Sequence, residues 1–193
     1  GGADHFYRLS IDTGPRIAFT VPNIVQRGVP SHIELFGWNL TAGRERTSAA
    51  LERLEVELTS EDAQPAWPPP LRLMSQQVQL AESSIAYRLA DGSLPVLLGV
   101  TDAEVGVDAG SNHSADQAQE VAVPSDVSGQ LVSGDETDWY SIDARRGEVL
   151  YVEAFGERIG SPVDLHLTLS DESGRELAQF FDGPRNVGDA FPV

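Results

Sequence analysis

The sequence predicts an all-β chain built from two β-sandwich modules. Apolar and polar residues alternate strictly over 163–169, with Val163, Leu165, Leu167 and Leu169 on one face and Asp164, His166 and Thr168 on the other. A period of two belongs to a half-buried strand. Turn signals punctuate the same region: Arg146-Gly147, Gly160-Ser161-Pro162 and Asp171 to Gly174. Such spacing, roughly every eight to twelve residues, is that of an antiparallel sandwich. The 18 Gly and 12 Pro suit many turns and few helices.

The elements follow in order. Tyr7, Leu9 and Ile11 share one face of a strand and Arg8, Ser10 and Asp12 the other. Thr13-Gly14-Pro15 opens a separate module, with strands expected at 16–22, 32–40, 54–58, 71–80, 84–89 and 94–98. Leu51, Leu54 and Leu58 recur at helical spacing, but Leu54, Val56 and Leu58 alternate with Glu55, Glu57 and Thr59, which favours a strand. Residues 64–70, with Trp67 among the prolines, read as a polyproline-type surface loop. Residues 101–111 are acidic, contain glycine and lack an apolar face, as a linker does. Further strands are expected at 140–142 and 150–154 before the alternating run at 163–169.

The net charge of −17 repels phosphate backbones and acidic membrane surfaces, so nucleic acid is not an expected partner. The same charge keeps an extended multi-domain protein soluble or attracts divalent cations. All 13 basic residues are Arg, a bias for which the sequence offers no structural reason. The chain contains no Cys and hence no thiol chemistry. No run is long and apolar enough to cross a membrane as a helix, so membrane insertion is not expected.

Four segments after residue 111 match one family in order. They are the lead-in Asn112 to Val121, the run Gly134-Asp135-x-x-Asp138-x-Tyr140-x-Ile142 with its Arg146-Gly147-Glu148 turn, the strand from Gly160 to Leu169, and the hairpin Asp171-x-x-Gly174-x-Glu176-Leu177-Ala178. Together they resemble the bacterial pre-peptidase C-terminal domain, a jelly-roll-like β-sandwich appended to secreted proteases and large surface proteins. Residues 1–12 resemble the closing strand of a preceding copy, so the chain is expected to be a fragment of a longer protein. Ile17, Pro22, Gly28 and Ile33-x-Leu35-x-Gly37-Trp38-Asn39-Leu40 resemble the immunoglobulin-like domain of plexins and some transcription factors. The resemblances imply a division into 1–12, an immunoglobulin-like sandwich over 13–100, a linker over 101–111 and an incomplete second sandwich over 112–193.

Motifs for catalysis are missing from the sequence: it has no Gly-x-Ser-x-Gly elbow, no His-Glu-x-x-His and no phosphate-binding glycine loop. His5, His32, His113 and His166 are far apart in sequence. An enzyme is therefore not expected. The oxygen-rich positions Asn112, Asp116, Asp135 and Asp138 are the candidate metal ligands, since calcium takes six to eight oxygens. The resemblance implies calcium between the lead-in and the Gly-Asp loop. Here Ser111 and His113 stand where that family carries acidic residues, and the loop is one residue longer. These departures favour Asp135 and Asp138 as shapers of a turn, so calcium is the only cofactor considered and none is expected.

Trp139 and Trp67 are the candidate ligand-binding aromatics, able to stack on a sugar or a partner protein. If Tyr140 and Ile142 face the core, Trp139 faces out. The function expected is that of a non-catalytic structural or interaction segment of a large bacterial extracytoplasmic protein. The alternative is a polysaccharide- or protein-binding accessory module of a secreted hydrolase, calcium-assisted or not. Expected partners are neighbouring domains of the same polypeptide, a polysaccharide or a protein, and a second copy through a swapped N-terminal strand.

Overall fold

The structure, a computed structural model, describes residues 9, 11, 13–40, 45–46, 51–61, 64–65, 83–89, 94–156 and 159–181. It is all-β, as the alternation predicts: strands and a short 3-10 turn at Ala115–Gln117 are joined by loops, with no α-helix among the described residues. Two four-stranded sheets face each other. The first contains β1 (Arg16–Val21), β3 (Ser31–Trp38), β4 (Glu45–Arg46) and β5 (Glu52–Leu58), in the order β1-β3-β5-β4 and antiparallel throughout. The second contains β2 (Ile24–Gln26), β6 (Gln64–Pro65), β7 (Ser83–Tyr87) and β8 (Val96–Thr101), in the order β2-β8-β7-β6, with β2 parallel to β8.

Between the sheets lies a core of Val25, Ile33, Leu35, Leu40, Leu58, Ile85, Leu98 and Val100. Burying a side chain of this size is worth about 1.5–3 kcal/mol. The helix-compatible run at Leu51 is strand β5, because Leu54, Val56 and Leu58 turn toward this core while Arg53, Glu55 and Glu57 stay in water. The Gly37-Trp38-Asn39-Leu40 element has a local cause. A Cβ on Gly37 would stand 2.0 Å from the Arg16 carbonyl oxygen of the neighbouring strand. Asn39 adopts φ 54°, a left-handed conformation that Asn tolerates better than most residues, and its amide donates to the Thr13 carbonyl. That bend delivers Leu40 into the core, where its N–H donates to the Glu52 carboxylate at 2.7 Å. Trp38 remains exposed.

Part of 101–111, expected as a linker, is strand. β8 runs to Thr101, and β9 (Glu104–Val107) follows almost at once, paired in parallel with β11 (Ser125–Ser128). Its apolar residues, Val105 and Val107, are too few to give a periodic signal, and its partner lies some twenty residues on. Ser128 also ties this region to the first sandwich: its hydroxyl accepts from the Asn23 N–H at 3.2 Å and donates to Asn23 Oδ1 at 3.1 Å.

Beyond β9 the strands form pairs. β10 (Gln119–Glu120) lies parallel to β12 (Tyr140–Ser141), and β13 (His166–Ser170) is antiparallel to β14 (Glu176–Phe181). The alternation at 163–169 is present in the burial: Val163, Leu165, Leu167 and Leu169 are half-buried and the residues between them exposed. The strand itself begins only at His166. Residues 150–154, expected as a strand, form none, and Tyr151 and Val152 are exposed. Among the described residues no hydrophobic side chain beyond Thr101 is buried, so the described strands of this half enclose no closed core. The strand expected at 71–80 lies outside the described residues, as does most of the one at 7–11. Leu9 and Ile11 are described and exposed.

The β13–β14 hairpin turns on Asp171. Its carboxylate accepts from the backbone N–H of Ser173 at 3.0 Å and of Arg175 at 3.1 Å, and from the Ser173 hydroxyl, while Gly174 takes φ 80°. The Ser173 hydroxyl, ahead of the backbone bonds, holds the Asp171 pKa below its ordinary value.

Truncating Leu98 to Ala is expected to cost about 2–5 kcal/mol in urea unfolding, the range for emptying a closed aliphatic site. Gly37→Ala should also destabilise, although alanine is the smallest addition, because the obstacle is backbone rather than a mobile side chain. Asp171→Asn is expected to lower the melting temperature at pH 7. A depressed carboxyl pKa stabilises above the unfolded value and loses that contribution as pH falls through the folded one. The difference between wild type and mutant should therefore hold down to about pH 3.9, the ordinary Asp value, and shrink only below it, as Asp171 protonates at its depressed folded pKa.

Candidate functional site

One extended segment is held between two others. The Trp139 N–H donates to the Asn112 carbonyl at 2.7 Å, and the Trp139 carbonyl accepts from the Asn112 side-chain amide at 3.1 Å and from the Gln119 N–H at 2.9 Å. Residues 138–141 are thereby clasped between the lead-in at Asn112 and β10. Asn112 becomes one of the most buried residues in the protein, 1% exposed.

The clasp brings His113 against Asp138. His113 Nδ1 lies 3.2 Å from Asp138 Oδ1 and 4.0 Å from Glu136 Oε1, and the ligand atoms of the three side chains all lie within 4.8 Å of one another. The Glu136 carboxylate is fixed from behind. Its Oε2 accepts from the N–H groups of Val132 at 2.8 Å and Ser133 at 3.0 Å, which leaves Oε1 toward His113. The side chains of Glu136 and Asp138 are only 11% exposed, while the imidazole is nearly half in water. A cleft of about 340 Å³ opens beside them, lined by His113, Ser133, Asp135, Glu136 and Thr137.

Asp108 and Tyr140 complete the surroundings. The Tyr140 hydroxyl donates to Asp108 Oδ1 at 3.0 Å. Burial, then that bonded carboxylate, push the Tyr140 pKa well above its ordinary value, so the phenol remains a neutral donor. Burial also raises the Asp138 pKa, followed by the charge of Asp108; the His113 hydrogen bond opposes the rise and Glu136 adds to it. A raised carboxyl pKa favours the folded state most when the group is protonated, so ionised Asp138 is a source of instability at neutral pH. Negative charge is in excess here: Glu136 and Asp138 face a single imidazole, and the charge of Asp108 acts on Asp138 as well. Two carboxylate oxygens, a nitrogen and an open side make a site that can hold a cation.

The candidate ligands named from sequence divide. Asn112 and Asp138 come together. Asp135 lines the cleft, where its Oδ1 accepts from the Ser133 hydroxyl at 2.9 Å, but it is not part of the three-residue cluster. Asp116 sits exposed in the 3-10 turn, also outside it. Glu136 was not singled out, and His113 counted only as a lost oxygen. A signal was available, since Glu136, Asp138 and Tyr140 alternate with a period of two. Tyr140 is not a core residue: it is 41% exposed and faces Asp108, and Trp139 is exposed to a similar degree. Trp67 and His5 lie outside the described residues. His32 is on the exposed face of β3 between Glu55 and Glu57.

No family model matches the chain, and no curated protein or solved structure matches it.

Asn112→Ala is expected to cost about 1 kcal/mol in urea unfolding, the usual worth of one intramolecular hydrogen bond. His113→Ala, measured in the presence of chelator, should stay within about 0.5 kcal/mol of the parent, because the ring is half exposed and holds no backbone in place.

Proposed function

We propose that the chain is a non-catalytic structural and interaction segment of a bacterial extracytoplasmic protein, and that its second half is completed by a β-strand supplied from outside that half. The observation that carries this reading is the half-covered apolar face. Val163, Leu165, Leu167 and Leu169 alternate as a core-facing strand does, yet none is fully buried among the described residues. Val149, Tyr151 and Val152 are exposed as well. By contrast, the first sandwich closes its own core from residues 25–100. A face patterned for burial and left part-covered is a template for an added strand.

The strand at hand is the N-terminal one. Leu9 and Ile11 are exposed and share a face, so their burial elsewhere would be favourable. The first sandwich stands between residues 9–11 and the acceptor in sequence, which favours donation from a second copy over donation within one chain. The resemblance of both segments to parts of the pre-peptidase C-terminal domain supports the same arrangement and the extracytoplasmic setting.

Light scattering on the whole chain and on a variant lacking residues 1–12 tests the reading. A dimer that becomes a monomer on deletion is the expected result. A monomer before and after deletion, with unchanged melting temperature, would sink it.

A further inference from the structure

We propose that His113, Glu136 and Asp138 form a binding site for one divalent transition-metal ion of the zinc class, beside the buried side chain of Asn112. The first support is the donor set. An imidazole nitrogen with two carboxylate oxygens suits zinc-like ions, whereas calcium takes oxygen ligands and more of them. In a tetrahedral zinc site with bonds of 2.0–2.1 Å, neighbouring ligand atoms are about 3.3 Å apart. The His113–Asp138 separation is 3.2 Å, the His113–Glu136 separation is 4.0 Å and all three ligand atoms lie within 4.8 Å of one another, so small side-chain movements would close them on one ion.

Preorganisation is the second support. Metal sites depend on outer bonds that fix the ligands. Glu136 is fixed through its far oxygen by the Val132 and Ser133 amides, and the peptides beside His113 and Asp138 are fixed by the Asn112–Trp139 clasp. These bonds lie outside the triangle of ligand atoms; within it, His113 Nδ1 and Asp138 Oδ1 share a hydrogen bond that a bound cation would replace.

An orphaned atom gives the third, independent support. Asn112 Oδ1 is buried and accepts no hydrogen bond from any described group. Buried polar oxygens in native proteins nearly always have a partner. The Asn112 side chain bonds the Trp139 carbonyl, and its amide also meets the Tyr140 phenol. Asn112 adjoins His113 in sequence and bonds the residue next to Asp138, so its side chain lies beside the cluster. A cation, or a water molecule bound to it, supplies the positive partner that this oxygen lacks.

The test uses the whole chain after chelator treatment, titrated with zinc, cobalt(II) and calcium chlorides by calorimetry and thermal melting. Zinc should bind once per chain and raise the melting temperature by mass action, and cobalt should develop visible absorption bands. Millimolar calcium should leave the melting temperature unchanged. His113→Ala and Asp138→Asn should each lose at least tenfold in zinc affinity while melting cooperatively in chelator. His32→Ala, which removes the other imidazole flanked by two carboxylates, should bind zinc as the parent does. The proposal is overturned by the absence of saturable zinc binding, by calcium stabilising as well as zinc, or by affinity that follows His32 rather than His113. A change in oligomeric state on deleting residues 1–12 has no bearing on these outcomes, so this site and the strand-docking reading fail separately.

Discussion

The apolar layer between the two four-stranded sheets is the constraint on which the rest of the molecule depends. Ile33 and Leu35 from one sheet meet Val25 and Leu98 from the other, all without measurable exposure. β8 carries Leu98 and Val100 into this layer and runs directly into the β9 region, so the core fixes where the second half starts. The Asn23–Ser128 pair then anchors β11 beside β2, and Asp108, donating its N–H to the Ser128 carbonyl at 2.9 Å, is fixed in turn. Asp108 receives the Tyr140 hydroxyl, and Tyr140 lies two residues from Asp138. Hydrogen bonds as far as Tyr140, and then two residues of backbone, thus join the packed sheets to the acidic cluster.

The two halves are stabilised by different means. The first derives its stability from closed apolar packing, with a glycine and a left-handed asparagine accommodating the tight approach of β1 and β3. Polar clasps dominate the second: the Asn112–Trp139 bonds, the Glu136 carboxylate on two amides, and the Asp171 carboxylate at the hairpin. Such bonds contribute about 1 kcal/mol each, so they define local geometry more than they hold a domain together. That contrast is why an added strand and a bound cation both fit the second half. One would cover apolar surface, the other would relieve crowded carboxylates.

Sequence periodicity alone was enough for the all-β class, for β1, β3, β5, β7 and β13, and for the Asp171 turn, because a strand that buries one face must alternate along its own length. The strand reading of 54–58 over the helical one follows from the same rule, since a helix that buries Leu54 and Leu58 would turn Val56 to water. Position in the fold decided what periodicity could not express. β2 and β9 are short and take their order from parallel partners distant in sequence, so no local pattern announces them. His113 meets Glu136 and Asp138 across more than twenty residues because backbone bonds at Asn112 and Trp139 bring two extended segments together, and Tyr140 turns to Asp108 instead of a core. Hydrophobic alternation is written into neighbouring residues, whereas a cluster of donors on separate segments exists only once the tertiary contacts have set the distances between them.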